Sequence, residues 1–206
     1  MSDAPGRLDA EGWLAGARRI VSPNADARPE GEPVRLLVVH AISLPPDRFS
    51  GEGIIELFTN TLDPAAHPYY AQIAGLQVSA HFLIRRDGEL IQFVSTEQRA
   101  WHAGASCWGG RERCNDFSIG VELEGSDHVP FEPRQYARLT ELIKVLRHRY
   151  PLQAVAGHSD IAPGRKTDPG PCFDWARLAR GLDAPPPGVD TQVSFSGIPL
   201  VDRTDV

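Results

Sequence analysis

The chain has 206 residues, 41% hydrophobic and 23% charged, which is enough apolar material for the core of one domain. Its 21 Lys and Arg residues against 27 Asp and Glu residues give a net charge of −6, which argues against a nucleic-acid partner. No apolar stretch approaches the roughly 20 residues of a membrane span. The N-terminal segment does not resemble a signal peptide, and three cysteines without a CxxC pair are typical of a reducing compartment, so a cytoplasmic protein is expected.

The apolar pattern and the turn residues predict alternating helices and strands. In chain order these are a short helix within 8–20, a connector 22–33, a buried strand 34–42, a helix 53–60, a hairpin 79–94, a loop 101–116, a strand 117–125, a helix 132–150, a strand 154–156 and a helix 173–182. The hairpin requires an antiparallel pair, so the predicted fold is α/β, a single domain with a central mixed β-sheet flanked by α-helices and with long structured loops. The predicted domain covers 1–182, followed by a Pro-rich C-terminal tail at 183–206.

Two histidines and one aspartate stand at positions from which side chains can converge on a metal ion. His40 lies near the end of the most buried predicted strand, His158 follows a short strand, and Asp168 lies in the next loop. Two imidazoles and one carboxylate form a three-ligand zinc set that leaves a fourth position open to water. The alternative is structural: His40 ends a strand by hydrogen bonding, and Asp168 begins a turn before Pro169. Spacing alone favours this alternative, because scattered His and Asp residues lack the specificity of a compact zinc motif.

Two acidic side chains and a lysine are candidates for proton transfer and charge stabilisation. Glu122 and Glu124 share one face of a predicted strand, where glutamates are usually solvated. Among apolar neighbours, however, reduced hydration raises the pKa of a carboxylate toward the range of a general base, whereas a nearby zinc ion opposes this shift, so the sequence does not give its net direction. Lys166 stands just before Asp168, where a cation can stabilise an oxyanion, although a solvated basic pair with Arg165 is the alternative.

A cysteine and three arginines offer other kinds of site. Cys172 with His158 can be drawn as a nucleophile and its base, but no helix N-terminus precedes Cys172, which favours a small buried hydrophobe instead. Arg99, Arg111 and Arg113 surround a Gly- and Trp-containing loop. Unless they are solvated, three such arginines favour an anionic ligand such as a peptide carboxylate.

Five segments carry a family resemblance, in sequence order from about residue 8 to residue 182. They are LLVVHAISLPP, VSAHFLIRRDGELIQFV, RAWHAG, GRERCNDFSIGVELEG and GHSDIAPGRKTDPGPCFDWARL. Together they resemble the 1,6-anhydro-N-acetylmuramyl-L-alanine amidases, the AmpD family. That family belongs to the zinc-dependent N-acetylmuramoyl-L-alanine amidases, whose fold is shared with peptidoglycan recognition proteins.

The resemblance implies one zinc ion, its ligands and a reaction. The ligand positions match His40, His158 and Asp168, the proton-handling glutamate matches Glu122, and the lysine that stabilises the transition state matches Lys166. The implied reaction is hydrolysis of the amide between the lactyl group of (1,6-anhydro-)N-acetylmuramic acid and L-alanine, in peptidoglycan recycling. The implied partner is a small muropeptide, with no nucleic acid and no membrane.

One further residue role and one departure accompany this resemblance. Arg113 is implied as a contact for a substrate carboxylate. Ala41 stands where the family usually has Asn, so any contact made by that Asn side chain is absent here. An alternative function is a non-catalytic module of the same fold that binds peptidoglycan fragments, but the complete set of matching site residues favours the enzyme.

Overall fold

A computed structural model of the protein describes residues 6–183, in which helices flank a six-stranded sheet. The strands in chain order are β1 (Arg18–Arg19), β2 (Ala25–Ala27), β3 (Leu36–Ile42), β4 (Phe82–Ile84), β5 (Leu90–Gln92), β6 (Gln98–Ala100), β7 (Cys107–Trp108), β8 (Arg111–Glu112), β9 (Ser118–Glu124) and β10 (Ala154–Gly157). The helices are α1 (Gly53–Phe58), α2 (Pro68–Gln72), α3 (Pro133–Arg149), α4 (His158–Ile161) and α5 (Trp175–Asp183), with a 3-10 turn at Cys114–Phe117. Within 6–183, no helix combines the length and the apolar character needed to cross a membrane.

The central sheet is mixed, as predicted. Its strand order is β1-β5-β4-β9-β3-β10, in which β4, β9, β3 and β10 run parallel and β5 and β1 run in the opposite direction. The β3 and β9 strands pair along their whole length, from Leu36 opposite Ser118 to Ile42 opposite Glu124. Because parallel strands end at the same edge of a sheet, the last residues of β3, β9 and β10 lie close together.

Alternate residues of these strands point to opposite faces, and each face has its own core. On one face, the apolar residues of β9 pack with those of α3 and α5, as their alternation predicts. On the other face, Leu36 and Val38 pack with residues of β10 and of the 3-10 turn, while α1 covers the part of the sheet nearer β5. His40 and Glu122 belong to this second face by parity, so the predicted site lies across the sheet from α3.

The predicted helix within 8–20 is wrong. Gly12 and Gly16 have φ of 81° and 85°, in the left-handed region, and a helix cannot continue through them. The chain instead makes a tight turn in which the carboxylate of Asp9 accepts the backbone N–H of Trp13 at 2.7 Å. The segment then enters the edge of the sheet as β1.

The other predicted helices and strands are present, with short elements added between them. The connector 22–33 contains β2, which pairs with β6, and the loop 101–116 contains the β7–β8 hairpin. The sequence pattern also does not predict α2, whose first turn is capped by the His67 imidazole accepting the Tyr69 N–H. Of the predicted tail at 183–206, only Asp183, the last residue of α5, lies within the described residues.

Buried Gln135 connects α3 to the carboxyl ends of β4 and β9. Its side-chain N–H groups donate to the carbonyl oxygens of Ile84 at 3.2 Å and Glu124 at 3.0 Å. Its side-chain oxygen accepts the backbone N–H of Glu132 at 2.9 Å, which holds the start of the helix. One amide therefore satisfies three backbone groups at the junction of helix and sheet.

We expect Gln135→Leu to lower the free energy of unfolding by about 2–4 kcal/mol, because it removes three hydrogen bonds between a buried amide and backbone groups. Urea unfolding followed by tryptophan fluorescence measures the change. Glu141→Gln on the same helix is the control: its exposed ion pair with Arg138 contributes less than about 1 kcal/mol. Equal effects of the two substitutions would contradict the role given to Gln135.

Candidate functional site

Three side chains that are distant in sequence meet where β3 and β10 end. His40 lies near the end of β3, His158 begins α4 directly after β10, and Asp168 lies in the loop that follows α4. The Nδ1 atoms of His40 and His158 are 3.0 Å apart, and each lies 3.1 Å from Oδ2 of Asp168. The two histidines are only 1% and 3% exposed. The structure thus brings the predicted trio together into a possible metal site.

Local hydrogen bonds hold the loop that carries Asp168 against the start of α4. The backbone N–H of Ser159 donates to the carbonyl of Asp168 at 2.9 Å. The Arg165 guanidinium donates to the carbonyls of Ala103 at 2.7 Å and Ala105 at 2.6 Å. Arg165 is exposed, yet these hydrogen bonds tie the loop that carries it to the segment after β6.

The surroundings of the trio favour a neutral imidazole at His40 and an ionised carboxylate at Asp168. Burial lowers the pKa of His40 to about 4, although the adjacent carboxylate of Asp168 acts in the opposite direction. Burial alone raises the pKa of Asp168, but the adjacent imidazoles of His158 and His40 outweigh it and hold this pKa well below its usual range. Neutral imidazole and carboxylate are the protonation states in which these groups bind metals.

The hydrogen bonding of His158 fits a cation between these groups. Its Nε2 lies 3.1 Å from the carbonyl oxygen of Ala103, which can only accept, so Nε2 carries the proton. In the neutral ring, Nδ1 then presents a lone pair to the carboxylate of Asp168. Two acceptors 3.1 Å apart repel each other unless a positive charge lies between them. An imidazole that donates its other N–H to a carbonyl is the usual arrangement of a metal-ligating histidine.

Glu122 lies beside this trio, opposite His40 in the β3–β9 register. It is 9% exposed, and its Oε2 has no hydrogen-bond partner among the described residues. Burial raises the pKa of Glu122 well above its usual value, and the negative charge of Asp168 raises it further, while Lys166 opposes the shift. A buried carboxylate with a strongly raised pKa is typical of groups that accept and donate protons at functional sites.

These groups line a cavity of about 460 Å³, together with Lys166. Side chains from α1, α2 and their flanking segments supply its apolar part: Leu57, Phe58, Tyr69, Ile73 and Val78. Residues from the loops after β9 and α4 supply its polar part: Ser126, Asp127, Arg165 and Thr167. Such a mixed lining suits a small ligand with both apolar and polar groups.

The three arginines are engaged within the chain. Each is paired with at least one carboxylate: Arg99 with Asp26 and Asp116, Arg111 with Glu32, and Arg113 with Asp116. The Arg113 side chain is nevertheless 71% exposed, with its Nε 3.2 Å from the Asp116 carboxylate. Arg113 is not among the described residues that line the cavity, and its contact with a ligand stays a prediction.

Glu124 and Cys172 also lie outside the lining formed by the described residues. The carboxylate of Glu124 is buried and accepts the backbone N–H groups of Ser50 at 2.7 Å and Arg86 at 3.2 Å. Glu124 therefore holds the loop after β3 to the sheet. The thiol of Cys172 donates to the carbonyl of Asp127 at 3.1 Å, which agrees with a structural cysteine.

Sequence reasoning gave no role to His102, although this side chain touches the site. Its Nδ1 lies 3.0 Å from Nε2 of His40, and its Nε2 lies 3.2 Å from the hydroxyl of Ser118. His102 lies in an irregular loop, where no periodicity identifies the face of a residue. Its position inside the RAWHAG segment was the one available signal.

The chain belongs to the N-acetylmuramoyl-L-alanine amidase family (Amidase_2), which matches residues 30–171. It is 59% identical over 170 residues to the 1,6-anhydro-N-acetylmuramyl-L-alanine amidase AmpD of Escherichia coli K12, covering 82% of this chain and 93% of that protein. A crystal structure of a selenomethionine AmpD derivative is 58% identical with a TM-score of 0.82, covering 84% of this chain and 98% of that one.

A more distant structure holds a ligand. The amidase AmiD of E. coli, in complex with the substrate anhydro-N-acetylmuramic acid-L-Ala-D-γ-Glu-L-Lys, is 34% identical with a TM-score of 0.52. That match covers 85% of this chain and 65% of the AmiD chain. These comparisons confirm the predicted family, the α/β fold with a mixed sheet, and the amidase class to which the family belongs.

We expect Glu122→Gln to stabilise the metal-free protein at pH 7 by about 1–3 kcal/mol, because it removes an unpartnered buried charge. Folding raises the pKa of Glu122 above 4.5, so wild-type stability falls as the pH rises from that value through the native pKa. The advantage of the variant should therefore grow with pH and vanish below the usual glutamate pKa. Urea unfolding at several pH values, after chelator treatment, measures it.

Glu124→Gln is the control for this experiment. It replaces another buried glutamate of β9, but one whose carboxylate accepts several hydrogen bonds, so the substitution should destabilise the protein. A stability advantage of Glu122→Gln that does not change with pH would contradict the assignment.

Proposed function

We propose that this protein is a zinc-dependent amidase that cleaves muropeptides between the lactyl group of 1,6-anhydro-N-acetylmuramic acid and L-alanine, in peptidoglycan recycling. The observation that carries the proposal is the convergence of His40, His158 and Asp168 beside the unpartnered carboxylate of Glu122, in one cavity. Supporting it, the relatives described above include AmpD, and AmiD is seen with an anhydromuramyl peptide. The site residues all fall within the domain assigned to 1–182, and the tail at 183–206 has no part in the proposed chemistry.

The residues that would hold zinc are His40 and His158 through Nδ1 and Asp168 through Oδ2. Two nitrogens and one carboxylate oxygen are a common catalytic zinc set that leaves a fourth position free. Ligand atoms about 2.0–2.1 Å from one tetrahedral ion are about 3.3 Å apart, close to the 3.0–3.1 Å separations here. Bound zinc lowers the pKa of water and polarises a carbonyl oxygen.

Glu122 is the proton carrier in this proposal. Its Oε2 accepts a proton from the attacking water and passes it to the nitrogen of the departing alanine. Burial makes the carboxylate a stronger base than an exposed glutamate, while Lys166 and a bound cation limit the shift. The balance suits a group that must take up and release a proton in one turnover.

Lys166 and Arg113 are assigned to the substrate. Lys166 is one of the residues that line the cavity, and its ammonium group stabilises the oxyanion that develops on the amide carbonyl. Arg113, exposed at the protein surface, contacts a carboxylate of the stem peptide. We place the reaction in the cytoplasm, as the family resemblance implies, with a muropeptide rather than a nucleic acid as partner, since the net charge is −6.

A module that only binds peptidoglycan fragments is the alternative on this fold. Binding alone does not need a buried carboxylate that lacks a partner, and such a group lowers stability. Groups that lower stability persist where chemistry requires them. The environment of Glu122 therefore favours the enzyme over the module.

We expect Asp168→Ala to lose bound zinc and to cleave anhydromuropeptide at least about a hundredfold more slowly, because the metal supplies several kcal/mol of transition-state stabilisation. Metal analysis gives the zinc content, and mass spectrometry of the products gives the rate and the bond cut. The exposed Asp174→Asn is the control and should keep both. Full activity of Asp168→Ala after dialysis against a chelator would contradict the metal assignment.

Lys166→Ala and Arg113→Ala should affect different kinetic constants. Loss of an oxyanion-stabilising group lowers kcat by about 100- to 1,000-fold with zinc retained. Loss of a substrate-carboxylate contact raises KM by about tenfold to a hundredfold and leaves kcat nearly unchanged. Steady-state kinetics on one anhydromuropeptide separates them, and a pure KM effect for Lys166→Ala would make it a binding residue.

A further inference from the structure

A line of hydrogen-bonding groups runs behind the candidate metal site. The hydroxyl of Ser118 lies 2.5 Å from the carbonyl of Cys114 and 3.2 Å from Nε2 of His102. The Nδ1 atom of His102 lies 3.0 Å from Nε2 of His40. We propose that Ser118 and His102 are positioning residues that fix the tautomer and orientation of His40, so that its Nδ1 presents a lone pair to the metal. This inference rests on the metal site of the proposed function.

The donor and the acceptor in the first two hydrogen bonds follow from which groups carry protons. A carbonyl only accepts, so at 2.5 Å from Cys114 O the single hydroxyl proton of Ser118 points to that carbonyl. The Ser118 oxygen then offers only lone pairs to His102. It follows that Nε2 of His102 carries a proton and donates it to Ser118.

The remaining link fixes His40. A neutral imidazole has one N–H, so His102 with its proton on Nε2 has an acceptor at Nδ1. The Nε2 atom of His40, 3.0 Å away, must therefore be the donor. Its Nδ1 is left with a lone pair that faces Asp168 and His158. The Nε2 proton of His158 is donated to the carbonyl of Ala103, so its Nδ1 atom likewise presents a lone pair.

The residues around His102 fix the position of its ring. A Cβ atom at Gly120 would lie 2.4 Å from Cγ of His102, so only glycine lets the ring pack against β9. The backbone N–H of His102 donates to the side-chain oxygen of Asn115 at 3.2 Å, which fixes the loop. The ring meets that of His40 edge to face, with centroids 5.1 Å apart. Packing and hydrogen bonding thus both define the position of the acceptor.

The decisive measurement is the tautomer of His102 in the zinc-loaded, ¹⁵N-labelled full chain. Long-range ¹H–¹⁵N correlation spectra distinguish a proton on Nε2 from one on Nδ1. We expect His102 and His40 both to carry their protons on Nε2. A proton on Nδ1 of His102 would reverse the direction of the links and overturn the proposal.

Two substitutions of His102 by side chains of similar shape test the consequence for zinc binding. His102→Leu removes the acceptor for His40, whereas the side-chain oxygen of Asn in His102→Asn can occupy the place of Nδ1. By competition with a chromophoric chelator, we expect His102→Leu to bind zinc about tenfold to a hundredfold more weakly. His102→Asn should stay within a few-fold of wild type. Equal weakening by Leu and Asn, in folded variants with similar circular dichroism, would overturn the proposal.

A second substitution keeps the test independent of the folding of His102→Leu. Ser118→Ala removes the acceptor for His102, so both His102 tautomers should appear in its spectra, with weaker zinc binding than wild type. An unchanged single tautomer in Ser118→Ala would contradict the inference. If the wild-type chain bound no zinc at all, the proposed function would fail. If the wild-type chain bound zinc normally but His102→Leu and His102→Asn weakened binding equally, only the positioning role would be removed.

Discussion

The site depends on one electrostatic constraint: two imidazole nitrogens and a carboxylate oxygen lie within 3.1 Å of one another. The Nε2 proton of His158 is donated to a carbonyl, so a neutral ring presents a lone pair to the carboxylate, and a cation between them relieves the repulsion. The sheet supplies the rigidity that such crowding needs. Because β3 pairs with both β9 and β10 in parallel register, His40, Glu122 and the start of α4 are set by backbone hydrogen bonds rather than by flexible loops.

Two glutamates on one strand differ in how far hydrogen bonds compensate their charges. Glu122 and Glu124 point to the same face of β9, and both are buried. Glu124 accepts two backbone N–H groups and a contact from Arg85 at 3.4 Å, so its charge is compensated and holds a loop in place. The Oε2 of Glu122 has no such partner among the described residues, which leaves it available for the proposed proton transfer. Residue type and strand face are the same for both, but the two carboxylates differ in the number of hydrogen-bond donors around them.

Hydrophobic periodicity in the sequence correctly predicted the strands that carry most of the candidate site. Alternation along 117–125 predicted which residues of β9 face α3, and the strand 34–42 placed His40 at the correct edge of the sheet. The pattern failed within 8–20, where left-handed glycines override an apolar spacing that otherwise suits a helix. The metal trio could not be chosen from spacing alone, since the contact of His40 with Asp168 depends on the sheet order, and it was family resemblance that favoured it. The exposure of Glu122 could not be predicted either, because burial at a strand end is decided by the loops that cover it.

Irregular segments carry contacts that no periodicity reveals, and the segment after β6 is the clearest case. His102 faces His40, while the carbonyl of the next residue, Ala103, accepts from His158. The backbone N–H groups of both residues donate to the same side-chain oxygen of Asn115, at 3.2 and 2.8 Å. Two consecutive residues, fixed by one amide, thus contact both imidazoles on the side away from the carboxylate. A loop held in this way can orient the two proposed metal ligands together, although one lies in β3 and the other begins α4.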